Sequence, residues 1–180
     1  LVANGMERAA RDMDVAERMK MLRASKRLTD AEVFNARRMF PRLATPNLAF
    51  RNRGDLTFAE TGAAWGFDQK GVSQGMALAD LDNDGDLDVV MNNFNGPAGI
   101  FRNDGPAPRV AVRLKGLAPN TRGIGARILV RGGPVPEQSQ EMIAGGRYLS
   151  SDDPIRTFAA GSATNRLSLE VLWRSGRRSV

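Results

Sequence analysis

The sequence predicts a mainly β chain that opens with a helical pair and ends in a small β-sandwich or barrel-like domain. Three observations carry that reading. Acidic residues occupy every second position of residues 80–88, between two short apolar runs. Leu167, Leu169, Val171 and Trp173 stand two apart, as on a strand with one buried face. Before residue 46 the apolar spacing is helical instead, and Thr29-Asp30-Ala31-Glu32 carries the Thr-x-x-Glu signature of a helix start.

Taken in order, Leu1-Val2-Ala3-Asn4-Gly5 reads as the end of a strand already under way, so the chain is expected to be a fragment. A helix is expected from residue 7 to about 25, with Met13, Ala16, Met19, Met21 and Leu22 near helical spacing and Asp12 or Asp14 as its cap. A second follows Thr29, with Val33, Phe34, Ala36, Met39 and Phe40 apolar, and Pro41 stops it. From Thr45-Pro46 onward short alternating runs and Gly or Asn turns take over, beginning with a hairpin around Asn52-Arg53-Gly54-Asp55. Phe50-Arg51-Asn52-Arg53-Gly54 returns 51 residues later as Phe101-Arg102-Asn103-Asp104-Gly105. That separation is close to the ~40–50-residue period of propeller blades. Asp104-Gly105-Pro106-Ala107-Pro108 reads as a linker, and strands are expected beyond it at residues 110–114, 124–130, after Gly145-Gly146, and at 167–173. The segments expected are thus 1–45, 46–105 and 106–180.

Composition narrows the chemistry. With no Cys and no His, the chain has no disulfide framework, no thiolate ligand or nucleophile, and not the commonest general base. No run of ~18 apolar residues occurs, so no membrane insertion is expected. The net charge of +6 is uneven. Residues 1–45 hold 10 basic and 6 acidic groups, residues 46–105 hold 4 and 9, and residues 106–180 hold 12 and 5. The high pI raises a nucleic-acid reading, but the aromatic content is 6% and the arginines are scattered, which favours solvated surface.

Residues 80–88 read Asp-Leu-Asp-Asn-Asp-Gly-Asp-Leu-Asp. Carboxylates at alternate positions suit a hard divalent cation, which takes six to eight oxygens at roughly 2.3–2.6 Å. Asp80, Asp82, Asp84 and Asp88 are the expected side-chain ligands of Ca2+. Asp86 is expected to offer its backbone carbonyl and turn its carboxylate outward, while Gly85 permits the turn. A helical calcium hand needs Glu at position 12, where this chain has Met91. The flanks, Met76-Ala77-Leu78-Ala79 and Leu87-Asp88-Val89-Val90-Met91, read as strands, so the loop joins a hairpin.

The loop with these flanks resembles the calcium-binding loop of FG-GAP (VCBS-type) repeats, the blades of integrin-like β-propellers. The resemblance implies that residues 46–105 are the last blade or so of a larger toroid, with the helical pair inserted in or preceding a blade. Further on, Asn120-Thr121-Arg122-Gly123-Ile124-Gly125-Ala126, Gln140-Glu141, Gly145-Gly146-Arg147-Tyr148-Leu149-Ser150, Phe158-Ala159-Ala160-Gly161 and Trp173-Arg174-Ser175-Gly176 resemble the ASPIC/UnbV domain. That domain follows FG-GAP repeats in the cartilage acidic protein (CRTAC-like) family. Where the family has Phe-Gly-Leu-Gly and Trp-Pro-Ser-Gly, this chain has Phe158-Ala159-Ala160-Gly161 and Trp173-Arg174-Ser175-Gly176.

The expected function is a non-catalytic, calcium-stabilised binding or adhesion module of a secreted or cell-surface protein, located extracellularly, in the periplasm or at the cell surface. Its expected partners are an extracellular protein or glycan and the remaining blades of the parent chain, with no nucleic acid. Two alternatives stand beside it. One is a carboxylate-dependent hydrolase using Asp152 with Asp153, or Glu137 with Glu141. The other is a purely structural calcium domain. Arg53-Gly54-Asp55 is the tripeptide that integrin ligands display, although a turn already accounts for its glycine.

Overall fold

In the computed structural model, which describes residues 1–180, the chain is mainly β with two helices and small sheets, and no closed barrel forms. It divides into two compact units, Leu1–Gln74 with Asn93–Asn95, and Gly75–Asn92 with Gly96–Val180.

The first unit holds the helices. Helix α1 spans Met13–Ser25, and its N-cap is Asp12, whose side chain accepts from the Val15 amide at 3.0 Å. The helix begins later than its apolar spacing suggested, and its buried stripe is different. Val15 and Met19 are buried with Leu22 packed beside them, the i, i+4, i+7 face, while Met13 and Met21 are exposed. Helix α2, Asp30–Ala36, starts with the expected capping box. The Glu32 amide donates to Thr29 Oγ1 at 3.3 Å, and the Thr29 amide donates to Glu32 Oε2 at 2.9 Å. It passes into a 3-10 turn at Arg37–Met39, and Phe40 is already extended ahead of Pro41. Ala36 and Phe40 complete the small core over Val15 and Met19.

The box also holds a proton equilibrium. Hydrogen bonds from Lys26 and from Thr29 depress the Glu32 carboxyl to about 2. A depressed carboxyl stabilises the fold above its unfolded pKa near ~4.3, and the contribution is lost as pH falls through the folded value. An NMR titration should therefore place the Glu32 midpoint near 2. Thr29→Ala should raise that midpoint and destabilise the helix by ~1 kcal/mol.

Four short strands follow in this unit: β1 (Thr45–Pro46), β2 (Phe50–Asn52), β3 (Phe58–Glu60) and β4 (Lys70–Gly71). β1 pairs with β4 and β2 with β3, both antiparallel. Val2 forms an isolated antiparallel bridge with Leu48, and no strand forms over the opening residues. The β2–β3 hairpin carries Arg53-Gly54-Asp55 at an exposed tip, with Gly54 at φ 83°. There Asp55 Oδ1 accepts from the Thr57 amide at 3.0 Å and from its hydroxyl at 2.6 Å, which lowers the Asp55 pKa.

Strand β5 (Ser73–Ala79) leads into the second unit, where it lies beside β6 (Asp88–Asn93), and β6 pairs antiparallel with β7 (Gly99–Phe101). Then come β8 (Arg109–Val112), β9 (Arg127–Arg131), β10 (Glu137–Glu141), β11 (Gly146–Arg147), β12 (Ser150–Ser151), β13 (Arg156–Ala159), β14 (Ser168–Leu172) and β15 (Arg178–Ser179). One sheet has the order β10-β9-β14-β15, and β13 pairs with β8 in another. A single core joins the two. Ile128 and Val130 of β9, Val171 of β14 and Phe158 of β13 are buried together with Ala126 and Met142, and Val110, Val112 and Trp173 pack against them. Two sheets sharing one apolar interior make this a sandwich-like module.

Candidate metal centre

Residues 80–88 join β5 to β6, and their carboxylates shape the backbone that carries them. Asp80 accepts from the amides of Asp84 and Gly85, each at 3.1 Å. Asp84 Oδ1 accepts from the Asp86 amide at 2.9 Å. Two residues take left-handed φ, Asn83 at 62° and Gly85 at 88°. Asparagine and glycine are the residues that enter that region at least cost.

Asp88, the first residue of β6, is 1% exposed. Its Oδ2 accepts from the Leu81 amide at 2.9 Å and its Oδ1 from the Asn103 amide at 2.8 Å, tying both ends of the loop to the chain just past β7. Above this foot, Asp80, Asp82 and Asp88 each bring a carboxylate oxygen within 4.8 Å of the others. Asp82 is exposed and has neither oxygen committed to a hydrogen bond. Three carboxylates this close repel one another, which favours a shared cation. The donor set suits a hard ion, being oxygen throughout. Arg113, the cation whose pKa Asp80 helps to raise, already holds Asp153 in a two-pronged pair at 2.8 and 3.1 Å, the main cause of that rise.

Of the five predicted positions the structure therefore brings together Asp80, Asp82 and Asp88. Asp84 stands outside that group, with one oxygen spent on the Asp86 amide. The carboxylate of Asp86 does not turn outward. The residue is 2% exposed, and its side chain forms an ion pair with Arg109 at the start of β8. The physical reason is that the loop lies on the β8–β13 pair. A Cβ on Gly85 would sit 3.8 Å from Ala111 Cβ, and Thr157 Oγ1 donates to the Gly85 carbonyl at 3.2 Å. A side chain on that flank of the turn meets protein, and a carboxylate there needs a cation.

Sequence reasoning missed Arg109 and Asn103. For Asn103 a signal existed in the repeated Phe-Arg-Asn motif. In both copies the Asn side chain accepts from the amide of the Gly two residues on, Asn52 from Gly54 at 2.8 Å and Asn103 from Gly105 at 3.1 Å. The same local turn thus follows each motif. For Arg109, only the acidic middle segment facing a basic end segment hinted at a pair.

Three of the four carboxylates of the hydrolase alternative are held by other groups. Asp152 Oδ1 accepts from the Leu78 amide at 2.8 Å and pairs with Arg147, while Asp153 pairs with Arg113. Glu137 pairs with Arg131 at 2.7 Å, and a hydrogen bond from Arg131 to Glu170 is the first cause of the raised Arg131 pKa. Glu137 and Glu141 lie four residues apart on β10, roughly 13 Å along a strand. Paired glycosidase carboxylates stand about 5–9.5 Å apart.

Comparison with known proteins places these features in a family. A model described as an FG-GAP-like repeat matches residues 31–91, and one described as ASPIC and UnbV matches residues 116–180. Cartilage acidic protein 1 of Xenopus tropicalis is 32% identical over 133 residues, covering 72% of this chain and 16% of that protein. The Homo sapiens protein of the same name is 46% identical over 57 residues, and that of Mus musculus 44% over 57, each covering 31% of this chain and 9% of the relative. The chain thus matches less than a fifth of the length of these relatives. The FG-GAP-like match contains the whole acidic loop, and the ASPIC and UnbV match contains β9–β15. The chain belongs to the family of FG-GAP-repeat proteins that carry an ASPIC/UnbV domain, with cartilage acidic protein 1 among its relatives.

Proposed function

We propose that this chain is a calcium-stabilised, non-catalytic binding module that works outside the cytoplasm as part of a larger propeller protein. The observation that carries the reading is the convergence of Asp80, Asp82 and Asp88 on one point above a buried foot. Those three residues would hold Ca2+, and the ion would neutralise the repulsion that otherwise opposes the closed loop. Bound calcium supplies charge and rigidity there, and the surrounding surface does the recognising. An extracellular address fits a weak site, because sites of ~10⁻⁴–10⁻³ M are typical of extracellular modules. No helix of the chain is long and apolar enough to cross a membrane.

Mass action sets the size of the effect. A site with Kd of ~10⁻⁴ M in ~1 mM calcium contributes about 1.4 kcal/mol, or roughly 3–6 °C in melting temperature for a chain of this length. Thermal melts with calcium and with chelator should differ by that amount, and calorimetric titration should find one site per chain. Identical melts with no heat of binding would remove the calcium reading.

A further inference from the structure

Between the 114–121 segment and the 173–179 turn lies an open pocket of about 430 Å³. Trp173 and Leu117 supply its apolar surface, while Lys115, Arg174 and Arg177 are the charged residues that line it. No carboxylate lines it. Nearby Arg178 pairs with Glu170 at 3.3 Å, yet none of the three lining cations makes an ion pair. Three unpaired cations around one cavity repel one another, so the pocket favours an anion. The indole is held in place. Its Nε1 donates to Ser179 Oγ at 2.9 Å, and its ring packs on the sandwich core.

We propose that this pocket binds an anionic saccharide unit, with a face of the sugar ring on the indole of Trp173 and a carboxylate or sulfate between Lys115, Arg174 and Arg177. The proposal deepens the binding-module reading by naming a ligand class, and it uses none of the calcium ligands. Three features favour a sugar acid or sulfate over other anions. Three backbone amides along the pocket are already spent and do not serve a compact phosphate: Trp173 on the Arg177 carbonyl at 2.9 Å, Gly176 on the Trp173 carbonyl at 2.8 Å, and Gly116 on the Thr121 carbonyl at 2.9 Å. The anion is left to long, separated side chains, which suit charges spread around a ring. Single-stranded nucleic acid needs successive aromatic platforms. Here Trp173 stands alone, because Phe158 is in the core and Tyr148 is on the β11–β12 hairpin. The volume lies within the usual range of ligand sites, and the negative face of the indole attracts the C–H face of a sugar.

Trp65 is the second tryptophan of the chain, so a Trp65→Phe background leaves Trp173 as sole reporter. Its fluorescence would be titrated with a sulfated, uronate-containing disaccharide, the uncharged disaccharide of the same linkage, inorganic sulfate, inorganic phosphate, and a short single-stranded oligonucleotide. We expect a saturable change with the anionic disaccharide that weakens as salt screens it. Arg174→Gln with Arg177→Gln should weaken it about tenfold or more. Both side chains are exposed, and an unchanged melting temperature confirms that the variant folds; Lys115→Gln, also at an exposed position, is the substitute if it does not. No saturable change, equal binding of the uncharged sugar, equal binding of inorganic sulfate, phosphate or the oligonucleotide, or full binding by the charge-neutral variants would each overturn the proposal. The calcium-dependent melting shift is measured on the same sample, so a failed saccharide site with an intact shift leaves the calcium reading standing.

Discussion

Arg109→Ala should destabilise the second unit by about 3–5 kcal/mol, whether or not calcium is present, because it strips the counter-charge from a carboxylate that has no access to water. Asp86 is 2% exposed, and neither of its oxygens accepts a hydrogen bond beside the ion pair with Arg109. Once Arg109 is gone, the carboxylate must take up a proton, admit water or pull the loop off the β8–β13 pair, and each course costs stability. Against a typical total of 5–15 kcal/mol, that loss is large. The diagnostic is the double variant. Removing Asp86 as well takes away the stranded charge, so Asp86→Ala with Arg109→Ala should recover much of the loss in urea melts. Additive single effects would mean that the two groups do not depend on each other.

How much of this was legible in the sequence follows from the range of each interaction. The loop, the capping box, the hairpin at Asn52-Arg53-Gly54-Asp55 and the β14 alternation are all written in residues within a few positions of one another, and spacing alone reveals them. The helix faces were less legible. Met13 and Met21 have the right spacing for a core, but the neighbour that decides which face is buried is Ala36, on another helix. Strand β10, Glu-Gln-Ser-Gln-Glu, carries no apolar alternation at all and is a strand because its backbone pairs with β9 from Glu137↔Arg131 to Glu141↔Arg127. The Asp86 carboxylate could not be placed either. An acidic side chain in a polar loop reads as solvated until Arg109, 23 positions on and past a proline-rich stretch, is known to come back to it.

The same geometry separates two of the three clustered carboxylates, Asp82 and Asp88, by what their loss should do. Asp82→Ala should abolish the calcium-dependent rise in melting temperature while costing almost nothing in chelator, since Asp82 is exposed and supports no backbone amide. Its sign in chelator should even reverse. Removing one of three carboxylates that lie within 4.8 Å of each other relieves repulsion of roughly 0.5–1 kcal/mol, so the variant should melt slightly above the parent without calcium and below it with calcium. Asp88→Ala should behave differently. It takes the acceptor from two part-buried hydrogen bonds, those of the Leu81 and Asn103 amides, and should cost about 1–3 kcal/mol in both buffers. Asp55→Ala, in a loop of similar polarity but in the other unit, should leave the calcium response as it was. A crossing of the Asp82→Ala and parent stabilities as calcium rises is a signature that neither a general loss of fold nor surface-charge screening produces. If Asp82→Ala kept the full calcium shift, the ion would have to bind elsewhere, and the convergence of Asp80, Asp82 and Asp88 would be an acidic turn held by its own hydrogen bonds and by the Asp86–Arg109 pair.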